Sequence, residues 1–334
     1  MKIPEPEMLP SGRFRIQVML EGKRMSRTFE TREDAIYWAS GIKTKSTQPE
    51  TPVRKMTVGQ AIDAYIESKS AVLSPSTILG YKKIRKNVLQ DIMDVKLEDV
   101  GGIVIQRAIN NMAKDHSPKY VRNANGLLTA ALGVYKPTLS LHTTLPQKIK
   151  HDISIPTTDE INKLHEFFKG KRYELPFLLG AWMGLRTSEI RGLTWDSVEP
   201  NKILHIKQAL VDGEDGAELK TTKTYSSDRK LKMPDRIADL IANAPRKTEY
   251  IVPYNRNQLY KALERGCNSL GLHHYRFHDL RHYYASLMLS VGMPDKYAME
   301  QMGHSSNNML KNVYQHTMDA KKQELVDALN KSFQ

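Results

Sequence analysis

The sequence predicts a multidomain protein, mainly α with small β, in which an N-terminal βββα module precedes an α-helical domain and a larger α+β domain. Three observations lead there. A length of 334 residues exceeds what one compact core usually organises. Two proline-bearing stretches without apolar periodicity, 46–54 and 136–155, read as linkers and divide the chain into 1–48, 55–138 and 155–334. Strand-like alternation is confined to short runs near 12–31 and 203–233, and helical spacing with recognisable start signals prevails elsewhere.

In the first segment Phe14, Ile16 and Val18 occupy one side of a two-residue alternation, Arg15 and Gln17 the other, and Glu21-Gly22 is a turn signal. A hairpin or a short three-stranded sheet follows. Thr31 and Asp34 make a capping pair for a helix carrying Ala35, Ile36, Trp38 and Ala39. The strands also bear Arg13, Arg15, Lys23, Arg24 and Arg27, and a basic two- or three-stranded sheet is a shape the DNA major groove admits.

Thr57 and Gln60 form a capping box ahead of Val58, Ala61, Ile62, Tyr65 and Ile66, and Ser74-Pro75 and Ser117-Pro118 open further helices. With apolar spacing over 104–112 and 120–135, the segment reads as about four short helices. Lys82, Lys83, Arg85, Lys86, Lys114, Lys119 and Arg122 cluster near helix starts, which suits phosphate contacts. Beyond the second linker, Thr157 and Glu160 cap a helix over 160–168. A buried helix over 175–183, a turn at Gly184 and strands over 203–209, 217–222 and 230–233 come next. The remainder is mainly helical apart from 250–253.

The chain carries 50 Lys+Arg against 37 Asp+Glu, a formal charge of +13, so a polyanion, nucleic acid before an acidic metabolite, is the expected partner. A single cysteine, Cys267, leaves no intrachain disulfide and no Cys-rich zinc finger, which suits an intracellular compartment. The start, MKIPEPEMLP, lacks the apolar run of a signal peptide, and LPFLLGAWMGL is too short to span a bilayer; a soluble protein without membrane association is expected.

Residues that can do chemistry lie in the last segment. In GLRTSEIRGLTW, Arg186 and Glu189 are three apart and so share a helix face; the apolar run before Arg186 predicts an arginine held against the core and oriented by Glu189. A strand-turn-strand pattern, ELKTTKTYSSDRKLKMP, carries Lys220, Lys223, Arg229, Lys230 and Lys232, read mostly as solvent or phosphate contacts. Further on, His278 and Arg281 are three apart, His304 follows a Met-Gly turn, and Tyr314 stands ten residues later. Guanidinium and imidazolium groups can hold the non-bridging oxygens of a phosphodiester while a phenol attacks phosphorus.

Arg186 in its TSEIRGLTW context, KTYSSDRKLKMP, HDLRH, MGHSS and VYQHT resemble, in order and approximate spacing, the tyrosine recombinases of the phage integrase family over 157–317. The modules ahead resemble the arm-binding and core-binding domains of lambda-type and conjugative-transposon integrases. The resemblance implies site-specific DNA recombination, the integration or excision of a phage genome or mobile element, without metal, ATP or other cofactor. Tyr314 would attack the scissile phosphate, giving a 3′-phosphotyrosyl link and a free 5′-hydroxyl. Arg186 and Arg281 would clamp the non-bridging oxygens, and His304 would add a hydrogen bond. Lys223 would protonate the departing 5′-oxygen, and His278 would assist proton transfer at the tyrosine. Met302 stands where leucine is common, and Asp228 puts an acid inside a basic hairpin, which leaves the choice between Lys223 and Lys220 open.

The same resemblance implies double-stranded DNA as partner. Crossover core sites would be met by Lys82, Lys83, Lys86, Lys119 and Arg122, and arm-type sites by the basic N-terminal module. It also implies a homo-tetramer on DNA, host DNA-bending or excision factors, and a cytoplasmic, nucleoid-associated place in a bacterial host. Leu325, Leu329 and Phe333, with Val326 and Ala328 beside them, make an apolar stripe on a C-terminal helix that would dock on a neighbour. Other readings are a non-catalytic DNA-binding regulator on a recombinase scaffold and a type IB-like relaxing topoisomerase. A third is a metal-dependent nuclease built on His273, His274, His278, Asp279 and His282.

Overall fold

The computed structural model describes residues 4–20, 23–45, 56–149, 154–221 and 228–303. Close approaches of the backbone divide the chain into two compact units, Met1–Ala64 with Leu89–Met112 and Asn125–Thr144, and Tyr65–Val88 with Ala113–Ala124 and Leu145–Gln334.

β1 (Glu7–Met8), β2 (Phe14–Leu20) and β3 (Lys23–Phe29) form an antiparallel sheet in that order. The third strand precedes the run whose alternation predicted the sheet. Ile16 and Val18 are buried against Ala35 and Ala39 of α1 (Arg32–Lys45), flanked by Phe14, Phe29 and Trp38. The predicted capping pair starts α1: the Asp34 N–H donates to Thr31 Oγ1 at 3.2 Å.

α2 (Val58–Lys69), α3 (Pro75–Asn87), α5 (Gly102–Asp115) and α6 (Pro118–Tyr135) are the four predicted helices, and a one-turn α4 (Gln90–Met93) and a 3-10 turn at Leu97–Asp99 come between α3 and α5. The Thr57–Gln60 box is reciprocal, with the Thr57 N–H on Gln60 Oε1 at 2.9 Å and the Gln60 N–H on Thr57 Oγ1 at 3.3 Å. α5 buries Ile105, Ala108, Ile109 and Met112, one stripe at i, i+3, i+4 and i+7. The unit division passes through α2, α5 and α6. The stretch after α6 has no regular structure among its described residues, yet it is pinned. Lys136 Nζ donates to the Leu97 carbonyl and, at 2.8 Å, to that of Val100, and the Thr144 N–H donates to Gln106 Oε1 at 2.8 Å.

The second unit ends in the largest core. α7 (Thr158–Phe168) starts from the predicted Thr157–Glu160 box, followed by α8 (Glu174–Ala181), α9 (Thr187–Arg191) and a 3-10 turn at Trp195–Ser197. Strands β4 (Val198–Glu199), β5 (Ile203–Ile206), β6 (Gln208–Asp212), β7 (Ala217–Thr221) and β8 (Arg229–Lys232) follow. The described residues close with α10 (Asp235–Ala242), α11 (Arg256–Ser269), α12 (Phe277–Ser290) and α13 (Asp295–Met302). α8, ELPFLLGA, is apolar on nearly every side and is buried throughout. Its one charge, Glu174, is 1% exposed and meets Arg236 Nε at 2.8 Å and the Gly170 N–H at 2.6 Å. Gly180 lets α12 lie close, because a Cβ there would stand 3.2 Å from Leu280 Cδ1.

The strands correct one expectation. Among the described residues the 217–222 and 230–233 runs do not pair with each other: β7 pairs with β6, and β8 with β5 in a sheet of order β4-β5-β8. The run predicted as one strand over 203–209 breaks at Lys207. Before the break, Leu204 and Ile206 with Leu231 opposite are buried over the core; after it, β6 is only half-buried and turns back through Gly213–Gly216. The turn joining β6 and β7 lies at 213–216, where the Gly213 N–H donates to the Gly216 carbonyl at 2.6 Å, and the turn predicted after β7 falls outside the described residues.

Gly184, predicted as a turn, has φ +63°, and a Cβ on it would stand 2.5 Å from Tyr284 Cδ1 and 2.9 Å from Met302 Sδ. Gly184→Ala is expected to cost about 2 kcal/mol or more from backbone strain and crowding together. A thermal melt indistinguishable from that of the unaltered chain would contradict this reading of the turn.

Candidate active site: three arginines on one buried carboxylate

The chain leaves the αL turn at Gly184, buries Leu185, and presents Arg186 in extended conformation as the residue before α9. Because Glu189 is three residues on, its carboxylate reaches back to the Arg186 N–H, which donates to Oε2 at 2.9 Å. The same carboxylate receives the Arg186 side chain, Nη1 to Oε1 at 2.6 Å. Glu189 thus orients Arg186 as its spacing predicts; Glu189 is 2% exposed and Arg186 half-buried.

Two more guanidinium groups converge there. Arg229, at the head of β8, sets Nη1 3.3 Å from Glu189 Oε1 and Nη2 2.9 Å from Oε2. Arg281, on α12, brings Nη1 to 3.9 Å from Oε2. Further bonds of the three arginines go to carbonyls. Arg281 Nη1 donates to Gly184 at 2.5 Å and its Nη2 to Met302; Arg186 Nη2 donates to Gly303 at 3.2 Å and Arg229 Nε to Gln301 at 2.9 Å. Three successive carbonyls at the end of α13 therefore each receive one arginine. A helix C-terminus carries partial negative charge, so cations are favoured there.

Three guanidiniums on one carboxylate leave the cluster at +2. Burial alone would raise the Glu189 pKa, but the Arg229 charge and bonds, then Arg186 and Arg281, bring it down to about 2. Burial lowers Arg281 to about 9, with Arg186 and Arg229 adding repulsion against the opposing pull of Glu189, so it remains charged at neutral pH. A locally cationic cluster of planar, bidentate donors suits one bound oxyanion such as a phosphodiester.

His278, one turn before Arg281, keeps an exposed side chain while its ring meets that of His282, centroids 4.6 Å apart. Close packing, then the Arg281 cation, lowers its pKa, so it is neutral at physiological pH and able to accept a proton; His282 is driven down to about 4 by burial and then by His278. Among the described residues no three His, Cys, Asp or Glu groups stand together to hold a metal ion. His273 lies against Tyr275 and His274 against Tyr260.

Of the six predicted catalytic groups, Arg186, His278 and Arg281 lie within the described residues, and Arg186 and Arg281 meet at Glu189. Lys223, His304, Tyr314 and the C-terminal stripe lie outside the described residues; Lys220 is on β7, opposite Ala209. Arg229, read from the sequence as one of several solvent or phosphate contacts, is 7% exposed and belongs to the buried cluster. Its signal was present: Arg229 shares the two-residue alternation of buried Leu231, which puts both on the core side of β8.

The predicted DNA-contact residues are less uniform. Lys82, Lys83, Lys86 and Lys119 are exposed, Lys82 being paired with Glu214, whereas Arg122 is half-buried and donates to the Pro146 carbonyl at 2.6 Å. Residues opposite each other in a sheet share a face. Arg15, Gln17 and Met19 with Thr28, Ser26 and Arg24 therefore line the open face, and Arg27 stands across from buried Ile16 with its guanidinium over the Phe29 ring. Arg15 is paired with Glu7 at 2.7 Å and Arg13 with Glu30 at 3.2 Å; Lys23 is opposite Leu20 in the register.

Because Glu189 titrates near 2 in the fold and near 4.5 when unfolded, its ionised form stabilises the fold fully above about pH 5, and that contribution, on the order of 3 kcal/mol, is lost as the pH falls toward 2. Glu189→Gln is expected to lose about 3 kcal/mol at neutral pH, because buried Arg229 and Arg281 and half-buried Arg186 lose their counter-charge. Its melting temperature should then fall less steeply between pH 5 and pH 3 than that of the unaltered chain. Parallel falls in the two proteins would contradict the assignment.

Residues 156–321 match the phage integrase family. The protein described as tyrosine recombinase XerC-like from Caldanaerobacter subterraneus subsp. tengcongensis is 24% identical over 307 residues, covering 78% of this chain and 78% of that protein. Among solved structures, the Tn1549 transposon integrase in complex with transposon right end DNA aligns with a TM-score of 0.65 at 19% identity, over 81% of this chain and all of that one (100%). A lambda integrase tetramer bound to a Holliday junction aligns with a TM-score of 0.60 at 18% identity, over 93% of this chain and 95% of that one. At these identities the likeness is one of fold. Joined to the family match across the segment that carries the arginine cluster, it makes this chain a tyrosine recombinase of the phage integrase family.

Proposed function

We propose that the chain carries out site-specific recombination of double-stranded DNA through a 3′-phosphotyrosyl intermediate, integrating or excising a mobile element. The observation that carries this is the arginine cluster, in which Arg186 and Arg281 arrive from separate helices on one buried carboxylate with net charge left for an oxyanion. Preorganised donors of this kind stabilise a pentavalent phosphoryl transition state without reorganising. The Tyr314 oxygen bonds to phosphorus as the bond to the 5′-oxygen breaks; neutral His278 assists removal of the phenol proton, His304 adds a hydrogen bond, and Lys223 supplies a proton to the leaving oxygen. The phosphotyrosyl bond retains the energy of the phosphodiester, so a new 5′-hydroxyl can reverse the step.

Three parts share the work in this reading. The 1–48 module reads arm-type sites through the open face that carries Arg15 and Arg24. Residues 55–138, with exposed Lys82, Lys83, Lys86 and Lys119, and residues 155–334 hold the crossover site. The lambda integrase tetramer on a Holliday junction supports assembly as a tetramer, and host bending or excision factors would set direction.

The test begins with a nicked suicide duplex bearing the sequence this chain selects from a pool of randomised duplexes. The unaltered chain is expected to form a covalent adduct, and Tyr314→Phe to bind equally well and form none. An adduct that persists in Tyr314→Phe would overturn the nucleophile.

The lysine is settled on the same duplex. Lys223→Ala should cleave an ordinary phosphodiester slowly and recover on a 5′-bridging phosphorothiolate, whose sulfur leaves without a proton. Recovery of Lys220→Ala instead would move the role to Lys220.

A further inference from the structure

Arg229 has no assigned part in the chemistry above, yet its bonding is specific. Its two terminal nitrogens meet the two Glu189 oxygens as a fork, 3.3 and 2.9 Å, while Nε reaches the Gln301 carbonyl at 2.9 Å. It is fixed from behind: β8 pairs it with Ile206, and the preceding Asp228 is held by His205 Nε2 at 2.8 Å. At 7% exposure it is placed to work through neighbours.

We propose that Arg229 is a positioning residue for strand cleavage, locking Glu189 to the end of α13 and so fixing the two clamp arginines relative to the backbone that leads into His304. The inference rests on the catalytic roles proposed above for Arg186, Arg281 and His304. Two physical arguments support it. First, the carbonyls of Gln301, Met302 and Gly303 are taken by Arg229, Arg281 and Arg186 in turn, so one helical turn is registered against all three arginines. Gly303, in the αL conformation at φ 61°, ends that turn. Second, Arg229, with both terminal nitrogens on the carboxylate, is the foremost of the three cations that hold Glu189 ionised. Without it the cluster falls from +2 to +1, and Glu189 draws more strongly on Arg186 and Arg281, in competition with a bound phosphate. Lysine does not replace it, because one ammonium cannot present a two-pronged fork to a carboxylate and a third donor to a carbonyl.

The test uses the full chain and the nicked suicide duplex. Arg229→Lys should melt as a folded protein and bind the duplex within about twofold, while adduct formation slows on the order of ten- to a hundredfold, as small misplacements of positioned groups do. In a Glu189→Gln background the same change should slow the reaction by less than about threefold, because both substitutions cut one connection. A methylphosphonate at the cleaved position, which lacks one anionic oxygen, should also shrink the defect of Arg229→Lys; this arm stands if Glu189→Gln does not fold. Adduct formation by Arg229→Lys at the unaltered rate would overturn the proposal. So would binding and cleavage lost together in proportion to the unfolded fraction, or a defect equally large in the Glu189→Gln background or on the methylphosphonate. Failure of the proposed function is distinct, since the unaltered chain would then form no adduct at Tyr314.

Discussion

The site depends on the buried carboxylate of Glu189. A carboxylate at 2% exposure is expensive unless ion-paired and hydrogen-bonded, and three clustered guanidiniums would repel one another without it. Each side of the cluster makes the other tolerable. Its members come from α9, β8 and α12, and its carbonyl acceptors from the Gly184 turn and the end of α13, so these segments must meet for the charges to be satisfied.

The surrounding fold is the means by which they meet. Fully buried α8 gives α12 a rigid surface, and Gly180 lets the two helices approach closely. The Gly184 turn then brings its carbonyl under Arg281 and delivers Arg186 to the start of α9. Gly192, just past α9, admits the backbone of β6, since a Cβ there would stand 2.8 Å from the Leu210 nitrogen; Arg191 also pairs with Asp212 at 2.8 Å. Function follows from the same geometry: guanidiniums held in place by protein acceptors need little rearrangement when charge develops on a phosphate.

Much of this was legible in the sequence because the signals were local. Capping pairs at Thr31, Thr57 and Thr157 mark helix starts through hydrogen bonds that span three residues. The Arg186–Glu189 contact is likewise a matter of one helical turn. What could not be read locally was pairing between strands: alternation shows that 217–222 and 230–233 are strands but not which partners they take, and that was decided by the break at Lys207 and by which half of the run covers the core. The same non-local choice hid Arg229. Its charge suggested solvent, while its register beside Leu231 put it inside, where a carboxylate from another element was waiting. The faces of the basic N-terminal sheet were hidden for a related reason, since composition counts cations without assigning them to faces, and register sets Arg27 apart from Arg15 and Arg24.

The central claim is that Glu189 stays ionised inside a cage of three arginines. A carbon-13 NMR titration of the glutamate side-chain carboxyls, with the Glu189 signal assigned by its loss in Glu189→Gln, measures this directly. The account predicts that Glu189 remains fully ionised at pH 4, where ordinary glutamates are about half protonated, and begins to titrate only toward pH 2. A Glu189 signal that titrates with the surface glutamates would contradict it.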